Sequence, residues 1–418
     1  MSDHTTATKT RARWILPVSG PPIRDGIIQI RGGSVEEVRA HVSGEFVDDD
    51  LGDVCLMPSL VNAHTHLEFS DCREPVGQPG MDLADWIAEA VSHRRSAGTS
   101  EWTGADSVAE SIRLGIQEAT STGTRVIGEI ATTPWPVEPT QASESSMVVM
   151  PFAEVLGLTP QRGQDRFDAA QSHLDSYPEA SGLSPHAPYS TPLALVQRCV
   201  DSSRRRHCGV AMHVAESESE LELLATGRGP FADRLGAMGI DHSAWFPHSR
   251  RDYIEQLIAI LGEAPRAMLV HGNYLLPSQI ELIAQKPQLS VVICPRTHGY
   301  FQHSPHPIDA LRAAGVRVAI GTDSRASNPD LSLWGEVQYL LKSRVDLNPA
   351  DVLAMATVDG HRAVLGCDGG GLTPGQPAVI NALPTKATTI DQLYADMSEH
   401  VVTPWRAKDI NTEDCWRP

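Results

Sequence analysis

A chain of 418 residues with a formal net charge of −18 has room for one large domain with an accessory. Its acidity argues against a nucleic-acid backbone or an anionic membrane surface as partner, since both favour basic faces. No apolar stretch approaches the length needed to span a bilayer, and the polar segment Met1 to Arg13 lacks the apolar core of a signal peptide. The seven cysteines are scattered without a Cys-x-x-Cys pair. A disulfide scaffold and a structural zinc cluster are therefore not expected, and a reducing cytoplasm is. The expected partner is a small-molecule substrate, and the default guess for assembly is a homo-oligomer.

In chain order, residues 10–58 read as short strands and turns. Trp14-Ile-Leu-Pro-Val, Gly26-Ile-Ile-Gln-Ile and Val35-Glu-Glu-Val-Arg carry the alternation, with Gly-Gly and Pro-Pro as punctuation. Eight apolar runs follow, ending at His66, Glu129, Glu154, His186, His213, His271, Arg296 and Asp323. Helix-like stretches lie between most of them, among them Ala105 to Ser121, Pro192 to His207, Asp252 to Leu261 and Pro307 to Ala314. From about Gly369 the pattern returns to a glycine turn and an apolar strand, Gly370-Gly-Leu-Thr-Pro-Gly-Gln-Pro-Ala-Val-Ile-Asn-Ala-Leu.

This rhythm predicts an α/β fold. Residues 59–368 form a (β/α)8 TIM barrel, and residues 1–58 and 369–418 form a small β-sandwich domain built from both chain ends. A doubly wound open sheet would also alternate strands and helices. It would not be expected to place a polar or charged residue at every strand tip, whereas the barrel keeps its site at the C-terminal ends of the strands.

His64 and His66 carry the strongest chemical signal. In a strand, residues i and i+2 share a face, so the two imidazoles can grip one ion. His213, His271 and Asp323 each end an apolar run of their own. Imidazole and carboxylate suit zinc or iron. His64, His66, His213 and Asp323 are expected to hold one divalent ion, zinc first and iron second, with a position left for water.

Glu216 follows His213 by three, so the chain must turn for Glu216 to reach the ion. There it can relay a proton to a substrate ring nitrogen. The competing reading is a solvated residue of the acidic run Glu216-Ser-Glu-Ser-Glu-Leu-Glu. His271 is either a further ligand or, preferably, a hydrogen-bond partner of the water or the developing oxyanion. Asp323 both ligates and takes the proton of that water. Arg296 can pair with a substrate carboxylate or sit in a strand-end ion pair. His298, His303 and His306 either line the mouth or are loop polar residues. His4, His173, His242, His248 and His400 read as ordinary surface residues.

Several motifs together resemble the amidohydrolase superfamily, in its single-metal deaminase and chlorohydrolase branch. They are Asn62-Ala-His-Thr-His66-Leu-Glu, Ser184-Pro-His-Ala-Pro-Tyr-Ser, His213-Val-Ala-Glu216, Val270-His-Gly-Asn, Gly321-Thr-Asp-Ser and Ala356-Thr-Val-Asp-Gly-His-Arg-Ala-Val-Leu-Gly. The resemblance implies His64, His66, His213 and Asp323 as metal ligands, and Glu216 and His271 as the catalytic acid and its partner. It also implies His186 as a substrate contact. Two-metal relatives bridge their ions with a carboxylated lysine at a middle strand. The middle strand ends here offer none, so one ion is implied.

Within the branch, His66-Leu-Glu-Phe-Ser, Asp85-Trp86-Ile, Cys294-Pro-Arg-Thr and Thr322-Asp-Ser-Arg-Ala-Ser-Asn resemble aminodeoxyfutalosine deaminase-type proteins of menaquinone biosynthesis. Trp86, His186, Arg296 and His298 are taken with them as substrate-binding candidates. Ser59 stands where a glycine is common, and Thr297-His298 where Ser-Asn is usual. His93-Arg94-Arg95 stands where methylthioadenosine/S-adenosylhomocysteine deaminases carry a ribose-binding glutamate. The implied activity is hydrolytic deamination of an amino-heteroaromatic ring, an adenosine-type nucleoside foremost. Deamination of methylthioadenosine/S-adenosylhomocysteine or of guanine, triazine-type hydrolysis, and a non-catalytic relative are the alternatives.

Overall fold

The computed structural model describes residues 7–97, 105–135, 147–178, 181–243 and 252–407. His4 and His248 lie outside them. The chain opens with β1 (Thr8–Ile15), β2 (Ile23–Arg31), β3 (Ser34–Ala40), β4 (Asp49–Asp50) and β5 (Val54–Pro58). A single residue, Ser59, separates β5 from β6 (Leu60–Thr65). There follow β7 (Thr124–Ala131), β8 (Val148–Val155), β9 (Gly182–Pro185), β10 (Val210–Val214), β11 (Ala267–His271), β12 (Leu289–Ile293) and β13 (Arg317–Ile320). The last strands are β14 (Ile380–Pro384) and β15 (Thr403–Trp405).

The apolar runs of the central segment become strands because helices cover their outer face and side chains fill the inner one. Such parallel strands are buried on both sides and show no alternation. Strands β6 to β13 form one eight-stranded sheet, each beside its neighbours in sequence. The last strand then returns to the first. Thr65 bridges Asp323 in parallel, and Asp323 N–H donates to His64 O at 3.0 Å. Gly321 allows this closure, since a Cβ there would sit 2.8 Å from both Cβ and O of His64. The buried Asn62 side chain pins the seam. Its Nδ2 donates to Thr322 Oγ1 at 2.7 Å and its Oδ1 accepts from Thr322 N at 3.1 Å. The barrel is thus a TIM barrel whose seam carries the expected ligands on both sides.

The helix over Ala105–Ser121 has the bounds read from the sequence, and those over Leu193–Arg206, Tyr253–Leu261 and Ile308–Ala313 fall within one residue of theirs. The helix Pro160–Ser176 starts at a Thr159 cap with Pro160 in its first turn, where the missing N–H costs nothing. His173 on this helix is buried rather than at the surface. Burial holds its imidazole below the ordinary value.

Both chain ends meet in one mixed sheet rather than in two facing ones. Its order is β15-β14-β5-β1-β2-β3, with β4 on β1. The join is the antiparallel pairing of β14 with β5, from Ile380 opposite Pro58 to Pro384 opposite Val54. Ala12, Ile15, Leu56, Leu372 and Ile380 pack together in this sheet. The C-terminal part also holds a helix, Ile390–Glu399, capped by Thr389 and Gln392. The loop after it docks on the barrel through Trp334 Nε1, which donates to His400 O at 2.8 Å. Among the described residues no helix is long and apolar enough to cross a membrane.

Candidate metal centre

The same-face spacing on β6 brings His64 and His66 to the open end of the barrel, where His213 at the tip of β10 meets them. One ring nitrogen from each of the three lies within 4.8 Å of the others. His66 Nε2 and His213 Nε2 are 3.3 Å apart. Two nitrogens bound to one tetrahedral ion at about 2.0–2.1 Å would stand about 3.3–3.4 Å apart, so the spacing fits a shared ion. Asp323 Oδ1 is 3.6 Å from His64 Nε2 and 3.7 Å from His66 Nε2. Neither nitrogen of the fully buried His64 has a hydrogen-bond partner. Leaving such atoms orphaned is costly, and a bound cation would satisfy one of them.

The neighbouring groups orient this donor set. His213 Nδ1 lies 2.8 Å from His186 O, which places its proton there and turns the Nε2 lone pair toward His66. Ser327 Oγ donates to Asp323 Oδ2 at 3.0 Å and is itself 3.1 Å from Thr297 Oγ1. The other oxygen of Asp323 therefore faces the histidines. Burial, then the crowd of neighbouring imidazoles, holds His213 well below the ordinary histidine value. Burial and His64 push His66 down to about 3. Neutral imidazoles are what ligation requires. Burial alone would raise Asp323, but His64, His66 and His271 outweigh it and hold the carboxylate below its usual range.

Glu216 lies beyond the tip of β10 and is buried. Its Oε1 is 3.4 Å from His271 Nε2. Burial, then the charges of Asp323 and Glu220, raises its carboxyl well above the ordinary value. The solvated-surface reading is therefore replaced by a buried carboxyl beside His271.

Glu220, which sequence reasoning passed over as one of an acidic run, makes this placement possible. It is fully buried, and its carboxylate accepts from Ala215 N at 3.0 Å and Glu216 N at 2.8 Å. Ser217 Oγ accepts from Glu220 N at 3.1 Å. The signal was present in the pattern Ser217-x-x-Glu220, which matches a capping box. Glu220→Ala is expected to strand two buried N–H groups, at about 1–3 kcal/mol each, and to release the turn that aims Glu216. Paired measurement of urea unfolding and turnover checks this. Unchanged values in both would contradict the role.

Backbone strain concentrates at the same tips. Ala215, His271 and Asp323 are non-glycine residues with φ of 52°, 68° and 58°. Left-handed conformations of this kind cost energy and gather where function requires them.

The substrate-binding candidates divide. His186 stands beside the centre, its ring 5.0 Å from that of His213 and its Nδ1 2.6 Å from Ser190 Oγ. His298 Nδ1 is 3.2 Å from Asn273 Oδ1, and Asn273 Nδ2 donates to Glu216 O at 2.8 Å. His298 is thereby linked to the acid through Asn273. Trp86 is farther along the same wall. Its indole N–H donates to Val76 O at 2.9 Å and its ring meets Phe301 edge-on at 5.3 Å.

Of the two readings of Arg296, the structure shows the ion pair. Its Nε donates to Glu336 Oε1 at 2.7 Å and its Nη2 to Asp330 Oδ1 at 2.8 Å, while its backbone N–H takes the other oxygen of Glu336. A short helix, Pro295–Tyr300, begins just past β12 and carries the guanidinium into this buried ion pair. It is not presented to a substrate carboxylate. At the neighbouring tips, both oxygens of Glu129 accept from Leu67 N, at 2.9 and 3.0 Å. This fixes the chain directly after His66.

The sequence profile described as the amidohydrolase family matches residues 55–411. An aminodeoxyfutalosine deaminase of Deinococcus radiodurans is 29% identical over 350 residues, covering 78% of this chain and 76% of that one. A 5-methylthioadenosine/S-adenosylhomocysteine deaminase of Desulfitobacterium hafniense is 25% identical over 388 residues, covering 87% and 82%. Among solved structures, an adenosine deaminase from Xanthomonas campestris with bound zinc superposes with a TM-score of 0.75 at 22% identity. It covers 95% of this chain and 91% of its own.

Proposed function

The chain belongs to the amidohydrolase family, and from that premise we propose that it is a single-metal hydrolytic deaminase of an adenine ring carried by a 5′-substituted nucleoside, aminodeoxyfutalosine foremost. One observation carries the reaction type. A buried carboxyl raised above its usual value, Glu216, stands 3.4 Å from His271, and a carboxylate held below its usual range, Asp323, stands 3.6 and 3.7 Å from His64 and His66. Two carboxyl groups driven apart in this way divide into an acid and a base.

His64, His66, His213 and Asp323 would hold one divalent ion, with zinc the expected species. When bound, such an ion acts as a Lewis acid that makes hydroxide available near neutral pH. Asp323, ionised before the attack, accepts the proton of the attacking water. Glu216 donates its proton to the ring nitrogen next to the amino-bearing carbon, so that no charge builds up on the ring as the oxygen adds. His271, 3.4 Å from Glu216, steadies the new oxygen. Asp323 then passes that proton to the amino nitrogen, ammonia leaves, and the proton of the new hydroxyl returns to Glu216 as the ring carbonyl forms.

The names of the two relatives support an adenosine-type nucleoside. The second reading, 5-methylthioadenosine/S-adenosylhomocysteine deamination, keeps every step and changes the 5′ group. Ammonia release from aminodeoxyfutalosine, methylthioadenosine, S-adenosylhomocysteine, adenosine, guanine and an amino-triazine separates them. Preference for the first supports the primary reading. Preference for the second or third moves the assignment to the second reading, and turnover of the triazine alone refutes both.

The pH profile follows from Glu216. Its protonated form is the donor, so kcat is expected to fall as pH rises through its raised pKa. Glu216→Gln, with nothing to titrate there, should lack that limb. A limb of the same midpoint in the variant would assign it to another group.

A further inference from the structure

Apart from the histidine nest, one more set among the described residues brings metal-ligating atoms together, namely Asp71, Cys72 and His93, again within 4.8 Å of one another. Cys72 is a free, buried cysteine. Its Sγ lies 3.3 Å from His93 Nε2. A thiolate and an imidazole on one tetrahedral zinc ion, with arms of about 2.3 and 2.0–2.1 Å, would stand about 3.5 Å apart. Asp71 adds the carboxylate from the solvent side. The proposed catalytic chemistry uses none of the three.

The surroundings explain what such a site would do. Cys72 lies on the loop leaving β6, three residues beyond the short helix Leu67–Phe69. His93 lies on the helix Leu83–Ala97, which carries Trp86. The carbonyl of Cys72 accepts from Arg325 Nε at 2.8 Å, and Arg325 Nη1 is held by both oxygens of Glu118 at 2.8 and 2.9 Å. Arg325 is two residues past Asp323. The loop at Cys72 therefore joins the two sides of the barrel seam, one bearing His64 and His66 and the other Asp323.

We propose that Asp71, Cys72 and His93 form a second metal site, for a thiophilic divalent ion such as zinc, which clamps the loop after β6 to the helix Leu83–Ala97. Sulfur, imidazole and carboxylate donors are a zinc set, and the solvent side of Asp71 leaves room for water as a fourth ligand. The site is separate from the histidine nest and stands whichever substrate that nest turns over.

The test is metal content and a cobalt spectrum of the full-length chain. Protein loaded with zinc and dialysed against metal-free buffer should retain two equivalents per chain. Cys72→Ser should retain one, and so should His213→Ala, which empties the other site. With Co2+ in place of zinc, the unsubstituted chain and His213→Ala should show a near-ultraviolet thiolate-to-cobalt band, and Cys72→Ser should lose it. The unsubstituted chain alone decides the matter if the cysteine variant does not fold. One equivalent per chain, or two without the thiolate band, would overturn the proposal.

Discussion

Glu216→Gln should keep its fold and its metal and lose roughly 10²–10⁴ of kcat, the usual range for removal of a positioned general acid. The amide is nearly isosteric, so the 2.8 Å bond from Asn273 Nδ2 to the residue's carbonyl and the Glu220 bonds to the turn persist. What disappears is a proton held on a carboxyl by burial and by the nearby charges of Asp323 and Glu220. Steady-state kinetics with metal content measured on the same sample reads the effect. A variant that turns over at the parent rate with the parent's metal content would refute the proton-relay role. Little change in KM would place the lost interaction in the transition state rather than in substrate binding.

Glu336→Ala should cost about 3–5 kcal/mol of stability, the penalty for leaving one member of a buried ion pair alone. Glu336 is fully buried, and its Oε1 accepts from both Arg296 Nε at 2.7 Å and Asn328 Nδ2 at 2.6 Å. Removing it strands a guanidinium whose only remaining carboxylate among the described residues is Asp330, at the surface side of the pair. Asn328 Nδ2 also donates to Thr322 O at 2.7 Å, so the loss should reach the loop that carries Asp323. Urea unfolding of the parent and the variant measures it. A loss under 1 kcal/mol together with a raised KM would return Arg296 to the substrate.

These two residues also show how far the sequence could be read. The eight barrel strands were legible because parallel strands covered by helices are unbroken apolar runs, and the runs ending at His66, His186, His213, His271 and Asp323 stop at or beside the histidine nest. The meeting of His64 and His66 with His213 was legible in part because His64 and His66 declare their shared face through their spacing alone. Glu216 was placed from the turn that must follow His213. The depth of that placement was not, because it depends on Glu220 folding back onto the Ala215 and Glu216 amides.

The two readings of Arg296 stayed open because its partner stands 40 residues away, and nothing local to Cys294-Pro-Arg-Thr says which way the short helix turns. The seam closure was hidden for the same reason. Nothing local to Gly321 says that His64 will stand against it. In the C-terminal segment, the glycine turn and the strand led to an expectation of β structure alone, yet the Thr389-Ile-Asp-Gln392 cap starts a helix there. His173 sits on a largely polar helix, and its burial comes from tertiary packing that no local pattern reports.

The measurement that tests the central claim most directly is oxygen transfer from labelled water. The zinc-loaded chain is incubated with an adenine nucleoside that it turns over, in water enriched in oxygen-18. The account predicts one labelled oxygen on the ring carbon that bore the amino group and one ammonia per ring converted. Both should be lost when a chelator removes the metal and restored when zinc returns. A product without the label, or undiminished turnover by protein shown to be metal-free, would contradict it.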